Sequence, residues 1–84
     1  LMFKDLEGWI YKKKAISKTF EFSSYLSGVN FLKKIASLAE ELNHHPEITL
    51  TWCKVHIFLT THDKGDVTEK DIELAKLCDK YCKE

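Results

Sequence analysis

The sequence predicts an α+β fold: a four-stranded antiparallel sheet with helices packed on one face, in the order strand, strand, helix, strand, strand, helix. Three observations predict it. Apolar and polar residues alternate over residues 15–22 and again over residues 48–61, the period of a half-buried strand. Between those stretches, apolar residues recur at steps of three and four from Phe31 to Leu42, the period of one helix face. Near the end, Thr68-Glu69-Lys70-Asp71 has the form of a helix capping box and leads into a second apolar stripe.

Each element has its own justification. Residues 1–14 hold Gly8 and Trp9 in a mixed pattern that enters a short strand, and Lys12-Lys13-Lys14 reads as a turn. A solvated loop is the plainer account of that basic run, and contact with an anion or a partner is the alternative. In residues 15–22, Ile16, Phe20 and Phe22 share one parity, and Lys18 is the misfit among them. Ser23 or Ser24 caps the long helix, whose apolar positions are Phe31, Leu32, Ile35, Leu38, Ala39 and Leu42. Gly28 inside it marks a close approach to another backbone. The helix ends where Asn43 takes the left-handed conformation and Pro46 bars helical geometry at His45.

A hairpin follows, with Ile48, Leu50 and Trp52 alternating in its first arm, Val55, Ile57 and Leu59 in its second, and a tight turn near Cys53 and Lys54. The loop from His62 to Asp66 then leads into a final helix that runs to about Tyr81, with Ile72, Ala75, Cys78 and Cys82 on its apolar face.

Composition narrows the function classes. The 84 residues form one domain, 1–84, with 44% hydrophobic and 31% charged residues, as in a soluble globular protein. No apolar run approaches the ~20 residues of a membrane span. Lys and Arg total 13 and so do Asp and Glu, which leaves no net positive field to favour direct nucleic-acid binding. Cys53, Cys78 and Cys82 form an odd set with no signal peptide ahead of them, which fits a reduced cytoplasmic setting, with the nucleus also open to the chain. The opening Leu1-Met2 suggests a fragment of a longer product.

Chemistry concentrates at Glu40-Glu41-Leu42-Asn43-His44-His45-Pro46, joined by His62 at the far end of the hairpin. Histidine is the side chain suited to moving protons near neutral pH, and Glu40 and Asp71 supply carboxylates to pair with. Each residue also has a plainer reading. Glu40 can be a solvated helix carboxylate, Asp71 the third residue of a capping box, His56 a packed strand histidine, and Cys78 and Cys82 buried thiols.

The ordered set Glu40, His44-His45-Pro46, Trp52, Lys54-Val55-His56, Thr61-His62 and Thr68-Glu69-Lys70-Asp71 resembles the signature of the pterin-4a-carbinolamine dehydratases, also described as dimerisation cofactors of a homeodomain transcription factor. The likeness covers about half of the chain strongly, and Gly8-Trp9 with Phe20-Glu21-Phe22 extends it weakly towards the N-terminus. Two departures stand out: the family's N-terminal helix is missing before Leu1, and Ile48 stands where many members carry an aromatic.

The resemblance implies dehydration of 4a-hydroxytetrahydropterin to quinonoid dihydropterin, in tetrahydrobiopterin recycling, without metal or cofactor, by a homodimer or homotetramer. It implies catalysis by His44, His45 and His62, and substrate contacts from Glu40, Pro46, Thr61, Asp63, Lys64 and Asp71. In this reading His44 is an acid, favoured by the helix C-terminus and by Glu40 one turn behind it, His62 is the opposing acid or base, and His45 orients the pterin. Two alternatives stand beside it. One is a non-catalytic dimerisation or transcription-coactivator scaffold that docks on a helical protein partner. The other is a hydrolase with His44, His45 and His62 as metal ligands, although no HExxH or paired-cysteine spacing accompanies them.

Overall fold

The computed structural model describes residues 6–84. Residues 1–5, the front of the stretch read as entering the first strand, lie outside the described residues. The strands are β1 (Ile10–Lys12), β2 (Ala15–Glu21), β3 (Glu47–Leu50) and β4 (Lys54–Leu59), and the helices are α1 (Tyr25–Leu42) and α2 (Glu69–Tyr81). A short 3-10 turn, His62–Lys64, joins β4 to α2. The four strands form one antiparallel sheet in the order β1-β2-β4-β3, in agreement with the α+β expectation.

The strand period decides which side of the sheet the helices cover. Val55, Ile57 and Leu59 of β4, with Ile16 and Phe20 of β2, are buried, while Thr19, Glu21 and Lys54 on the opposite parity are exposed. Phe31, Ile35 and Ala39 of α1 and Ile72, Leu74, Ala75 and Cys78 of α2 close the same core. Burying each large aliphatic side chain stabilises the fold by about 1.5–3 kcal/mol relative to leaving it in water. Lys18, the misfit of β2, has an explanation here. It lies on the helix side of the sheet with its Nζ 2.8 Å from Asp79 of α2, and Asp79 also accepts from the Trp9 indole at 3.1 Å. The lysine ties β2 to α2 at the margin of the core.

Helix α1 begins at Ser24, whose hydroxyl accepts from Ser27 N–H at 3.1 Å, and ends at Asn43, which is left-handed with φ 52°. A Cβ placed on Gly28 would stand 3.4 Å from both Leu50 and Val55, so the glycine seats α1 on the sheet. The β3–β4 turn starts earlier than the alternation suggested. Leu50 pairs with Val55, and Trp52 lies in the connection, 78% exposed, instead of continuing β3.

The β1–β2 turn is the expected basic one, with Lys12 and Ala15 paired across it. Its two corner residues, Lys13 and Lys14, have φ of 54° and 64°. A two-residue hairpin with both corners left-handed favours Asn-Gly, and a side chain there costs roughly 1–2 kcal/mol per residue.

Truncating Leu74, which is fully buried, to Ala is expected to cost about 2–5 kcal/mol in urea unfolding. The same truncation at Trp52 should stay within about 0.5 kcal/mol of the parent.

Candidate functional site

One rim of the sheet brings three parts of the chain together: the corner after α1, the end of β4 with its 3-10 turn, and the start of α2. Between them lies an open hollow of about 400 Å³ lined by Asn43, His44, His45, Thr60, Thr61, His62, Asp63 and Lys70. The corner exists because Asn43 turns the chain out of the helix while His44 N–H returns to Ala39 O at 3.0 Å. Pro46 then starts the extended run into β3.

Beneath the hollow sits Asp71, a carboxylate with no exposed surface. Its Oδ1 is 2.5 Å from His44 Nε2, and its Oδ2 accepts from Thr61 Oγ1 at 2.7 Å and from Thr68 N–H at 2.9 Å. The hydroxyls fix the direction of these bonds. Thr61 has one proton and gives it to the carboxylate, so in its 2.7 Å contact with Thr68 Oγ1 it is the acceptor. Oδ2 is thus an acceptor twice over, and an ionised Asp71 takes its third hydrogen bond at Oδ1 from His44 Nε2–H. The capping box that starts α2 is therefore also the support of His44. No buried side-chain nitrogen or oxygen among the described residues lacks a partner.

His45 is held differently. Its Nε2 is 2.6 Å from Glu40 Oε2, in a pair that is 56% and 76% exposed. The carboxylate expected behind His44 thus serves its neighbour, because the corner swings His44 inwards to Asp71 and leaves His45 on the surface above α1.

The hollow gathers His44, His45, Thr61, His62 and Asp63 of the residues singled out in the sequence. Glu40 stands at its margin through His45, and Asp71 lies behind His44 without lining the hollow. Thr61 borders it, but its hydroxyl is engaged below. Pro46 and Lys64 are absent from the lining and flank it through their neighbours His45 and Asp63. Asn43, Thr60 and Lys70 line the hollow and were not anticipated as site residues. Thr60 shares the parity of Phe58, and Lys70 lies inside the Thr68–Asp71 motif, so both signals were present.

Outside the hollow, His56 bonds through Nδ1 to Thr19 Oγ1 at 2.8 Å across the sheet, a strand-packing role. Burial pushes the Cys78 thiol up to about 12, with the neighbouring Asp79 adding to the shift. Among the described residues no group of three or more His, Cys, Asp or Glu side chains is arranged to hold a metal ion.

Comparison with known proteins gives a consistent picture. A family profile described as Pterin 4 alpha carbinolamine dehydratase matches residues 1–81. A relative from Sulfolobus acidocaldarius is 42% identical over 90% of this chain and 84% of its own. Another, from Natronomonas pharaonis, is 51% identical over 84% of this chain and 77% of its own. Both are provisionally named as pterin-4-alpha-carbinolamine dehydratases. Among solved structures, a transcriptional coactivator/pterin dehydratase from Brucella melitensis superposes with a TM-score of 0.92 at 31% identity, over 98% of this chain and 89% of the other. A pterin dehydratase-like protein described as a RuBisCO assembly factor in the alpha-carboxysome superposes with a TM-score of 0.73 at 28% identity, over 88% and 86% of the two chains.

Two outcomes test this geometry. Thr61→Val, which removes the acceptor of the Thr68 hydroxyl and one of the two donors on Asp71 Oδ2, should lower stability by about 1–3 kcal/mol, and Thr61→Ser should restore most of it in the same denaturant titration. Cys78 should resist a thiol-labelling reagent in the folded protein and react once urea unfolds the chain.

Proposed function

The chain belongs to the pterin-4-alpha-carbinolamine dehydratase family, and from that premise we propose that it is a hydro-lyase converting 4a-hydroxytetrahydropterin to quinonoid dihydropterin in tetrahydrobiopterin recycling. The observation that carries the reading is the His44–Asp71 pair facing the hollow that His45 and His62 also line.

The reaction needs two proton movements. An acid protonates the departing hydroxyl so that the C4a–O bond breaks with release of water. A base removes the N5 proton, and its electron pair closes the C4a–N5 double bond. One proton is given and one is taken, so imidazoles suffice, and the reading calls on no metal or cofactor. His44 gives Nε2–H to Asp71, which leaves Nδ1 to exchange a proton with the substrate. An imidazolium there donates from Nδ1 and returns to the neutral tautomer that Asp71 already holds, without a ring flip. His62, on the 3-10 turn, is the opposing base. His45, on its exposed Glu40 tether, orients the flat ring, and Asp63 and Lys70 offer polar contacts to its edge. Thr61 and Asp71 support the substrate from beneath through His44, and Pro46 and Lys64 shape the two flanks.

Generating 4a-hydroxytetrahydropterin in situ and following its ultraviolet conversion tests the reading. The protein should accelerate dehydration, His44→Ala and His62→Ala should each lower kcat by about 10²–10⁴-fold with the fold retained, and His45→Ala should chiefly raise KM. No acceleration from folded wild-type protein would transfer the weight to a scaffold role, for which histidine loss is harmless.

A further inference from the structure

A second hollow, also of about 400 Å³, lies on the neighbouring side of His62, and its lining includes Lys13, Lys14, Ala15, Phe58, Thr60 and His62. It shares Thr60 and His62 with the histidine hollow, so the two adjoin along those residues. Taken together as a trough, they lead from the imidazoles past Phe58 to the strained basic turn. We propose that its far end is an anion subsite and that the preferred substrate is a pterin whose side chain ends in a phosphate. The inference rests on the pterin reading above.

Three features support it. The turn accepts left-handed backbone at two consecutive lysines where Asn-Gly would be free of strain. Strain of this kind persists where the surroundings hold it, and here Thr60, a wall shared by both hollows, donates its hydroxyl to Lys14 O at 2.7 Å. The result sets cations at one end of a ligand-sized trough and proton-transfer groups at the other. Phe58 and Ala15 between them suit the uncharged stretch of a side chain.

The acidic neighbours define which lysine matters most. Asp66, whose carboxyl is held low by Val67 N–H and the Tyr11 hydroxyl, also feels Lys14, so part of that charge is balanced. Glu47 lines the trough as well and disfavours an anion on its side. Lys13 is thus the principal cation, with Lys14 adding to it.

The test is calorimetric titration with 7,8-dihydroneopterin and its 3′-phosphate ester, on wild-type protein and on the double variant Lys13→Asn/Lys14→Gly. The variant removes both charges and installs the favoured turn pair, so its Tm should rise by about 4 °C or more. Wild type should bind the ester about tenfold more tightly at low salt, with the advantage shrinking as salt is added. The variant should bind both ligands alike, with the wild-type affinity for the uncharged one. Equal affinities in wild type, or a preference that survives in the variant, would overturn the subsite while leaving the dehydratase reading intact. Failure of wild type to bind the ester would likewise overturn the subsite, whereas the dehydratase reading stands or falls on the dehydration assay above.

Discussion

The structure of the candidate site depends on one buried carboxylate. Asp71 has no contact with solvent, and an ionised group in that position is costly unless both of its oxygens are hydrogen-bonded. Here three donors from three elements meet that requirement: His44 from the corner after α1, Thr61 from the end of β4, and the Thr68 amide from the start of α2. Each of those elements is placed by the core, yet the carboxylate sets their mutual register at the rim. A change that loosens any one donor is felt at His44, because a partly satisfied buried network is worse than none.

The sheet makes that meeting possible. Because β4 is central, its C-terminal end is held by β3 as far as Phe58 and by β2 as far as Leu59, and from there the chain enters the 3-10 turn that carries His62. Helix α1 seats against the same strand through Gly28, so the corner at its C-terminus is fixed relative to that turn. At the other margin, Lys18 and Asp79 close the gap between β2 and α2 with a charge pair instead of an apolar contact. That pair explains why the strongest break in the strand alternation falls at Lys18: the side chain lies on the helix face but reaches its rim.

Much of the fold was legible in the sequence because it follows from local rules. Parity defined β2 and β4, the Ser24 and Thr68 caps started the helices, and Asn43 with Pro46 ended α1. What failed locally was Trp52, whose parity matched β3 although Leu50 already pairs with Val55, and register is a property of two strands, not one. The gathering of His44, His45 and His62 was also legible, as were the two carboxylates Glu40 and Asp71, but which imidazole meets which carboxylate was not. Sequence distance linked His44 to Glu40, whereas the partner is Asp71, 27 positions away. A helix places i and i+4 side by side only while it remains a helix, and His44 lies beyond its end.

That same corner makes two adjacent histidines physically unlike. Both face a carboxylate at similar distances, 2.5 Å and 2.6 Å. The His44 side chain is 11% exposed against a fully buried Asp71, while His45 and Glu40 are 56% and 76% exposed. An ion pair in water is screened and is worth about 0–1 kcal/mol, so it holds His45 loosely and lets it adapt. In the low dielectric beneath the hollow the same contact is stronger, and its loss strands a buried charge. His44 is consequently fixed in orientation and tautomer, and His45 is free to follow a ligand. Fixity is what proton transfer requires, and adaptability is what binding a flat ring allows.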